Sequence, residues 1–168
     1  MDRGCYCASM TRLLVGVAHG QLHAEPVEIY GTASIGAETG VDHWATACVR
    51  FPGDITATLT CGIQVELDSE FTVCGSEGNL RVPNPWFPGQ PDARILLQRR
   101  ESDEPEVIDA PAEQSLYACE ADHVAQRISE RQAAYPAMTW ADSLGNMQFL
   151  DRWRRAVGLT FPGDESWT

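Results

Sequence analysis

The chain has 168 residues, 43% of them hydrophobic and 8% aromatic, and its 12 basic residues face 24 acidic ones for a formal net charge of -12. Such a length suits one globular domain, of residues 1–168, and the composition is ordinary for a packed core. An acidic surface has no basic face with which to displace counterions from phosphates, so a nucleic-acid partner is excluded. The pair Arg99-Arg100 does not alter this, because Glu101, Asp103, Glu104 and Glu106 follow it. Every basic residue is an arginine, which rules out chemistry needing a lysine amine of this chain.

No apolar run approaches the ~20 residues that a membrane span needs, and no basic-then-apolar leader opens the chain. The expectation is a cytoplasmic protein without a membrane partner. Cys5, Cys7, Cys48, Cys61, Cys74 and Cys119 are scattered without a CxxC pair, which reads as buried, reduced thiols. A zinc site built on the CxC of Cys5 and Cys7 would need a second ligand pair, and the sequence has none at that spacing.

The first predicted helix runs from about Arg3 to Val15, with an apolar stripe through Met10, Leu13 and Leu14 and with Gly16 as its stop. A polar loop carrying His19 and His23 follows, and both histidines read as solvated. From Val27 the pattern changes to period-two alternation rich in Val, Ile, Thr, Tyr and Phe. The segments VEIYGTASIG, DHWATACVRF, DITATLTCGIQV, EFTVCG, NLRVP, RILLQRR and PEVIDA make six or seven strands. The Phe51–Asp54 stretch, FPGD, predicts a hairpin turn, as does GSEG at Gly75–Gly78. The proline-rich VPNPWFPGQPDA predicts an irregular loop.

Helical period returns after Pro111, where Tyr117, Ala121, Val124, Ala125 and Ile128 trace one stripe on a predicted helix from about Ser115 to Gln132. A last helix starts at Thr139 as N-cap with Asp142 at N3, a capping-box pattern, and ends at Gly158. Its expected core stripe is Leu144, Met147, Leu150, Trp153 and Val157. The arginines Arg152, Arg154 and Arg155 read as a solvated helix end, and the tail after Gly158 as frayed. One helix, a run of strands, then two helices indicate an α+β fold: an open, largely antiparallel sheet with helices packed on one face. GSEGNL leads into a strand and lacks the spacing of a dinucleotide fingerprint, and no βαβ alternation occurs.

Asp2 and Tyr6 stand four apart at the start of the first helix, which turns a carboxylate and a phenol to the same side. The alternative is an exposed tyrosine behind a first-turn charge favoured by the helix dipole. His43, between Asp42 and Trp44 at a strand start, and His123, on the penultimate helix, are candidate substrate contacts, with a structural histidine as the alternative at each. Trp86 and Phe87 read equally well as an apolar wall for a sugar ring and as a plug over the core.

Taken in order, Asp2-Arg3-Gly4-Cys5-Tyr6, SMTRLLVG, EPVEIYG, RFPGDITATLTC, CGSEGNLRVPNPWF, YACEADHVAQRI and PAMTWADSLGNMQFLDRWRRAVG resemble segments of the C-terminal domain of the Gfo/Idh/MocA oxidoreductases. The resemblance runs from Asp2 to about Gly158. It implies that Tyr6 is the catalytic acid/base and that Asp2 helps place the substrate and a lysine. It also implies a sugar, polyol or diol substrate, NAD(P) as the cofactor of the full-length family, and homo-oligomerisation through the open face of the sheet. The family's N-terminal Rossmann domain and its lysine are absent from this sequence. The expectation is therefore the second half of such an enzyme, cut at an internal methionine, binding no cofactor and inactive alone. The alternative is a free-standing binding or assembly module that dimerises through its sheet.

Overall fold

The computed structural model describes residues 1–87, 93–112 and 114–164. Helix α1 (Gly4–Ala18) buries Gly4, Ala8, Arg12, Val15 and Gly16, a face of mostly small side chains that lets neighbouring backbone approach. Gly16 is not the expected stop. It lies inside the helix, where a Cβ would come within 2.6 Å of the His23 Cα in the following loop. The helix stops instead at Gly20, whose φ of 65° suits a residue without a Cβ. The Gln21 amide donates to the Gly16 carbonyl and the Gly20 amide to that of Val17, the paired bonds of a Schellman motif.

Strands β1 (Glu28–Ile35), β2 (Asp42–Arg50) and β3 (Thr56–Gly62) form an antiparallel three-stranded sheet. The predicted Phe51–Asp54 hairpin joins β2 to β3, with Gly53 at φ 70° in its turn. Alternation sends Ala45, Ala47, Val49, Leu59 and Cys61 to one face, where all are buried. There they pack with α1 and with α3 (Trp140–Ala156), which contributes Phe149, Leu150 and Trp153. The opposite face carries Tyr30, Thr32, Thr46, Cys48, Thr58 and Thr60, aligned across the strands.

Strands β4 (Glu70–Gly75), β5 (Gly78–Pro83), β6 (Arg94–Arg99) and β7 (Glu106–Asp109) form a second antiparallel sheet in chain order. The α+β class and the antiparallel pairing are as expected, but the seven strands divide between two sheets instead of sharing one. The chain likewise falls into two compact units. One joins residues 1–67 to the stretch from Gln132 onward, and the other is Asp68–Arg131. Helix α2 (Leu116–Arg127) belongs to the second unit and buries none of its residues; Tyr117, Val124 and Ile128 of its predicted stripe are exposed.

Helix α3 begins as predicted, with the Thr139 hydroxyl accepting from the Asp142 amide at 3.2 Å. Its buried side differs from the expected stripe. Leu144 and Met147 are exposed, whereas Asp142, Gly145 and Asn146 are buried beside Phe149, Leu150 and Trp153. Gly158 ends the helix, and Leu159 beyond it is buried. The described part of the tail is packed, not frayed: Arg154 lies 4.7 Å from the Phe161 ring centroid and bonds Asp164 at 3.0 Å. Arg152 donates to the Pro26 and Val27 carbonyls at 2.6 and 2.8 Å, so Arg152 and Arg154 tie the helix down, whereas Arg155 is exposed as expected. Among the described residues no helix is long and apolar enough to cross a membrane.

Candidate functional site

The first turn of α1 presents Tyr6 to solvent, 58% exposed, with Asp2 exposed just ahead of the helix. The Cys5 thiol donates to the Asp2 carbonyl at 2.9 Å and fixes the chain between them. The turn is gripped from the core side. Asn146 of α3 donates from Nδ2 to the Cys5 carbonyl at 3.3 Å, and a Cβ on Gly4 would lie 3.3 Å from both Trp153 and the Cys61 sulfur. The Met1 ammonium pairs with the buried Asp42 at the start of β2.

Two turns along α1, Arg12 is 1% exposed. It occupies the core stripe between Ala8 and Val15 because carboxylates meet it there. Its guanidinium pairs with Asp142, donates to the Asp142 carbonyl at 3.1 Å, and reaches Glu25 at 2.5 Å. Burial opposes the charge, but the bonds to Glu25 and Asp142 outweigh it and hold the Arg12 pKa above its ordinary value. His23 adds its Nε2 at 3.2 Å from the second Asp142 oxygen and meets Tyr135 edge-on. This cluster joins α1, the loop after it and α3. Its sequence signal was an arginine on a buried helical stripe, four residues after Ala8 and three before Val15.

Burial favours the protonated form of the thiols beside the first turn. Burial, with Cys7 and Asp42 nearby, pushes the Cys61 thiol up to about 12, and burial also raises Cys5 and Cys7. A thiol held protonated is a weak nucleophile and a weak ligand. The buried-thiol expectation fits Cys61 alone; Cys5 and Cys7 are half-buried, and Cys48, Cys74 and Cys119 are exposed. Among the described residues no group of three or more His, Cys, Asp and Glu side chains is arranged to hold a metal.

The remaining candidates are dispersed. His43 is half-buried with its ring against Gly36 in the β1–β2 turn, where a Cβ would come 2.3 Å from its Nε2. Trp86 is half-buried and Phe87 56% exposed, both just after β5 in the second unit. His123 is half-buried on α2, and its Nε2 has no hydrogen-bond partner among the described residues. The loop histidines are not simply solvated: His19 bonds the Pro52 carbonyl at 3.1 Å, and His23 joins the arginine cluster. The first unit therefore brings Asp2 and Tyr6 to one helix start and places His43 at a turn. Trp86, Phe87 and His123 belong to the other unit.

Residues 1–81 match the family model described as the GFO/IDH/MocA C-terminal domain. The chain is 28% identical over 171 residues to trans-1,2-dihydrobenzene-1,2-diol dehydrogenase of Homo sapiens, covering 98% of this chain and 48% of that protein. The Xenopus tropicalis protein of the same name is 25% identical, over 96% of this chain and 47% of its own length. The chain thus spans about half the length of these curated relatives. Among solved structures, aldose-aldose oxidoreductase from Caulobacter crescentus, complexed with glycerol, superposes with a TM-score of 0.72 at 19% identity, over 92% of this chain and 44% of its own. The 3-ketoreductase KijD10 from Actinomadura kijaniata, in complex with NADP, gives 0.72 at 21% identity, over 92% and 46%.

Proposed function

We propose, from the premise that this chain belongs to the Gfo/Idh/MocA oxidoreductase family through that C-terminal domain, that it is the substrate-binding half of an NAD(P)-dependent oxidoreductase acting on a sugar, polyol or diol. The observation that carries the reading is Tyr6, exposed on a helix start whose backbone is held from behind by α3. Interconverting a carbinol and a carbonyl requires a group to exchange the hydroxyl proton. The Tyr6 phenol is that group, and Asp2 orients the hydroxyl beside it. An unperturbed phenol titrates near ~10, so work at neutral pH calls for a cation close by. The chain has no lysine to offer. Within the first unit His43 is the further candidate substrate contact in this reading, and Trp86, Phe87 and His123 are candidates of the second unit by itself.

The described residues do not fit a dinucleotide. Both sheets are antiparallel, and no strand leads through a glycine-rich turn into a helix with a parallel strand beyond. No step through NAD(P) is therefore assigned to this chain, and the reading takes it to need a nucleotide-binding half for activity. A cytoplasmic setting belongs to the same reading and is supported by cysteines that form no disulfide among the described residues.

The second reading is a non-catalytic assembly module that dimerises through its sheet. It is favoured by the uncovered face of β1–β3, where Tyr30 is 66% exposed among threonines. Homo-oligomerisation is common to both readings, and light scattering on the wild type and on Tyr30→Arg tests it. The experiment that separates them restores a nucleotide-binding half ahead of Asp2 and measures turnover. Tyr6→Phe keeps the ring and deletes the proton acceptor, so kcat falls by ~10²–10⁴. Unchanged turnover in Tyr6→Phe would remove the catalytic reading.

A further inference from the structure

Asn146 has an environment that stability does not account for. It is 6% exposed, and its Nδ2 donates to the Cys5 carbonyl at 3.3 Å. Its Oδ1 is buried and has no hydrogen-bond partner among the described residues. Exchanging the two amide atoms does not help, because the oxygen would then face a carbonyl. A buried acceptor left unmet costs more than one long neutral bond returns, and an apolar residue of the same shape would remove that cost. An asparagine here therefore does something other than stabilise.

The bond itself indicates what. The Cys5 carbonyl belongs to the peptide unit that joins Cys5 to Tyr6, so Asn146 holds the backbone from which the phenol projects. Neighbours on the same face of α3 fix the same helix at a second point. Asp142 pairs with Arg12, and Gly145 leaves space for it, since a Cβ there would come 2.1 Å from the Arg12 guanidinium. Two anchors seven residues apart on α1, at Cys5 and Arg12, determine both its rotation and its axial register against α3. Rotation decides where Tyr6 points.

We propose that Asn146 is a positioning residue for Tyr6; this rests on the proton-exchange role given to Tyr6 above. It touches no substrate and acts through the helix backbone. The test joins this chain behind a nucleotide-binding half and compares the parent, Asn146→Leu, Tyr6→Phe and the double variant. Leucine keeps the branching of asparagine at Cγ and removes the orphaned oxygen while adding some bulk, so the melting temperature of Asn146→Leu should stay close to the parent's. Its kcat should fall about 10–100-fold, as small misplacements of reacting groups do, with KM within about two-fold. Because the effect passes through the phenol, the loss should vanish in the Tyr6→Phe background. A clear drop in melting temperature with kcat retained would make Asn146 a packing residue and overturn the proposal. So would an equal loss of kcat in both backgrounds. A Tyr6→Phe enzyme as fast as its parent would instead remove the functional reading, and the positioning role with it.

Discussion

The two sheets follow the same alternating pattern and reach different ends. In β1–β3 one face is small and apolar, and Ala45, Ala47 and Val49 are at most 2% exposed because α1 and α3 lie on them. In β4–β7 one face is at least as apolar: Phe71, Val73, Leu80, Val82, Ile95, Leu97 and Ile108 align across the strands. Yet Val73 and Ile108 are 42% and 39% exposed, the other five are half-buried, and every buried hydrophobic residue among the described ones lies in the first unit. Alternation thus marks a face as fit for burial, while the elements available to cover it decide whether burial happens. The first sheet has a helix from each end of the sequence. The second unit has α2, whose own apolar stripe remains in solvent. The candidate proton-exchange residue stands on α1, one of the two helices that cover the first sheet.

Mutations at the centre of each unit should separate them most strongly. Trp153→Ala, at a fully buried ring packed edge-on against Phe149, should cost about 3–5 kcal/mol in denaturant unfolding. Leu80→Ala, half-buried on the second sheet, should cost only about 1 kcal/mol, because less apolar area is removed from water there. Equal costs would dissolve the distinction. Arg12→Met should be of the larger kind, about 3–5 kcal/mol, since it leaves the Asp142 carboxylate buried without its cation. A loss below about 1 kcal/mol would show that the cluster does not hold the first unit together.

Alkaline titration should give a smaller, directional effect confined to that unit. The Cys61 thiol is pushed up to about 12 by burial, whereas an unfolded thiol titrates near ~8.5. Across that window the unfolded chain releases a proton that the folded chain keeps, so stability declines as pH rises. It should decline less steeply in Cys61→Ala. Matching slopes in the two proteins would mean that the thiol is not held protonated.

Much of this arrangement is visible in the sequence, in particular places. The Thr139 cap, the Phe51–Asp54 hairpin turn and the order of strands and helices depend on a few adjacent residues, and each is found where local chemistry puts it. The buried side of α3 is not local. Hydropathy favours Leu144 and Met147, but α3 turns Asp142 and Asn146 inward, because Arg12 and the Cys5 carbonyl arrive from more than a hundred residues away. Gly16 misleads for a similar reason: close approach of the His23 backbone, not a helix end, explains it. Tyr6 was legible on the first turn of a helix, whereas Asp2, expected on the same side, stands ahead of α1. The asparagine behind them was not legible, since nothing near Asn146 announces a bond to Cys5.

Amide hydrogen exchange tests the contrast between the two units most directly. The account predicts that amides at 45–49 of β2 exchange only through the highest-energy opening of the protein, while those at 79–82 of β5 and 95–98 of β6 exchange through a much cheaper, local one. Equal protection in the two sheets would contradict it, and would mean that the second sheet's apolar face is covered as well as the first.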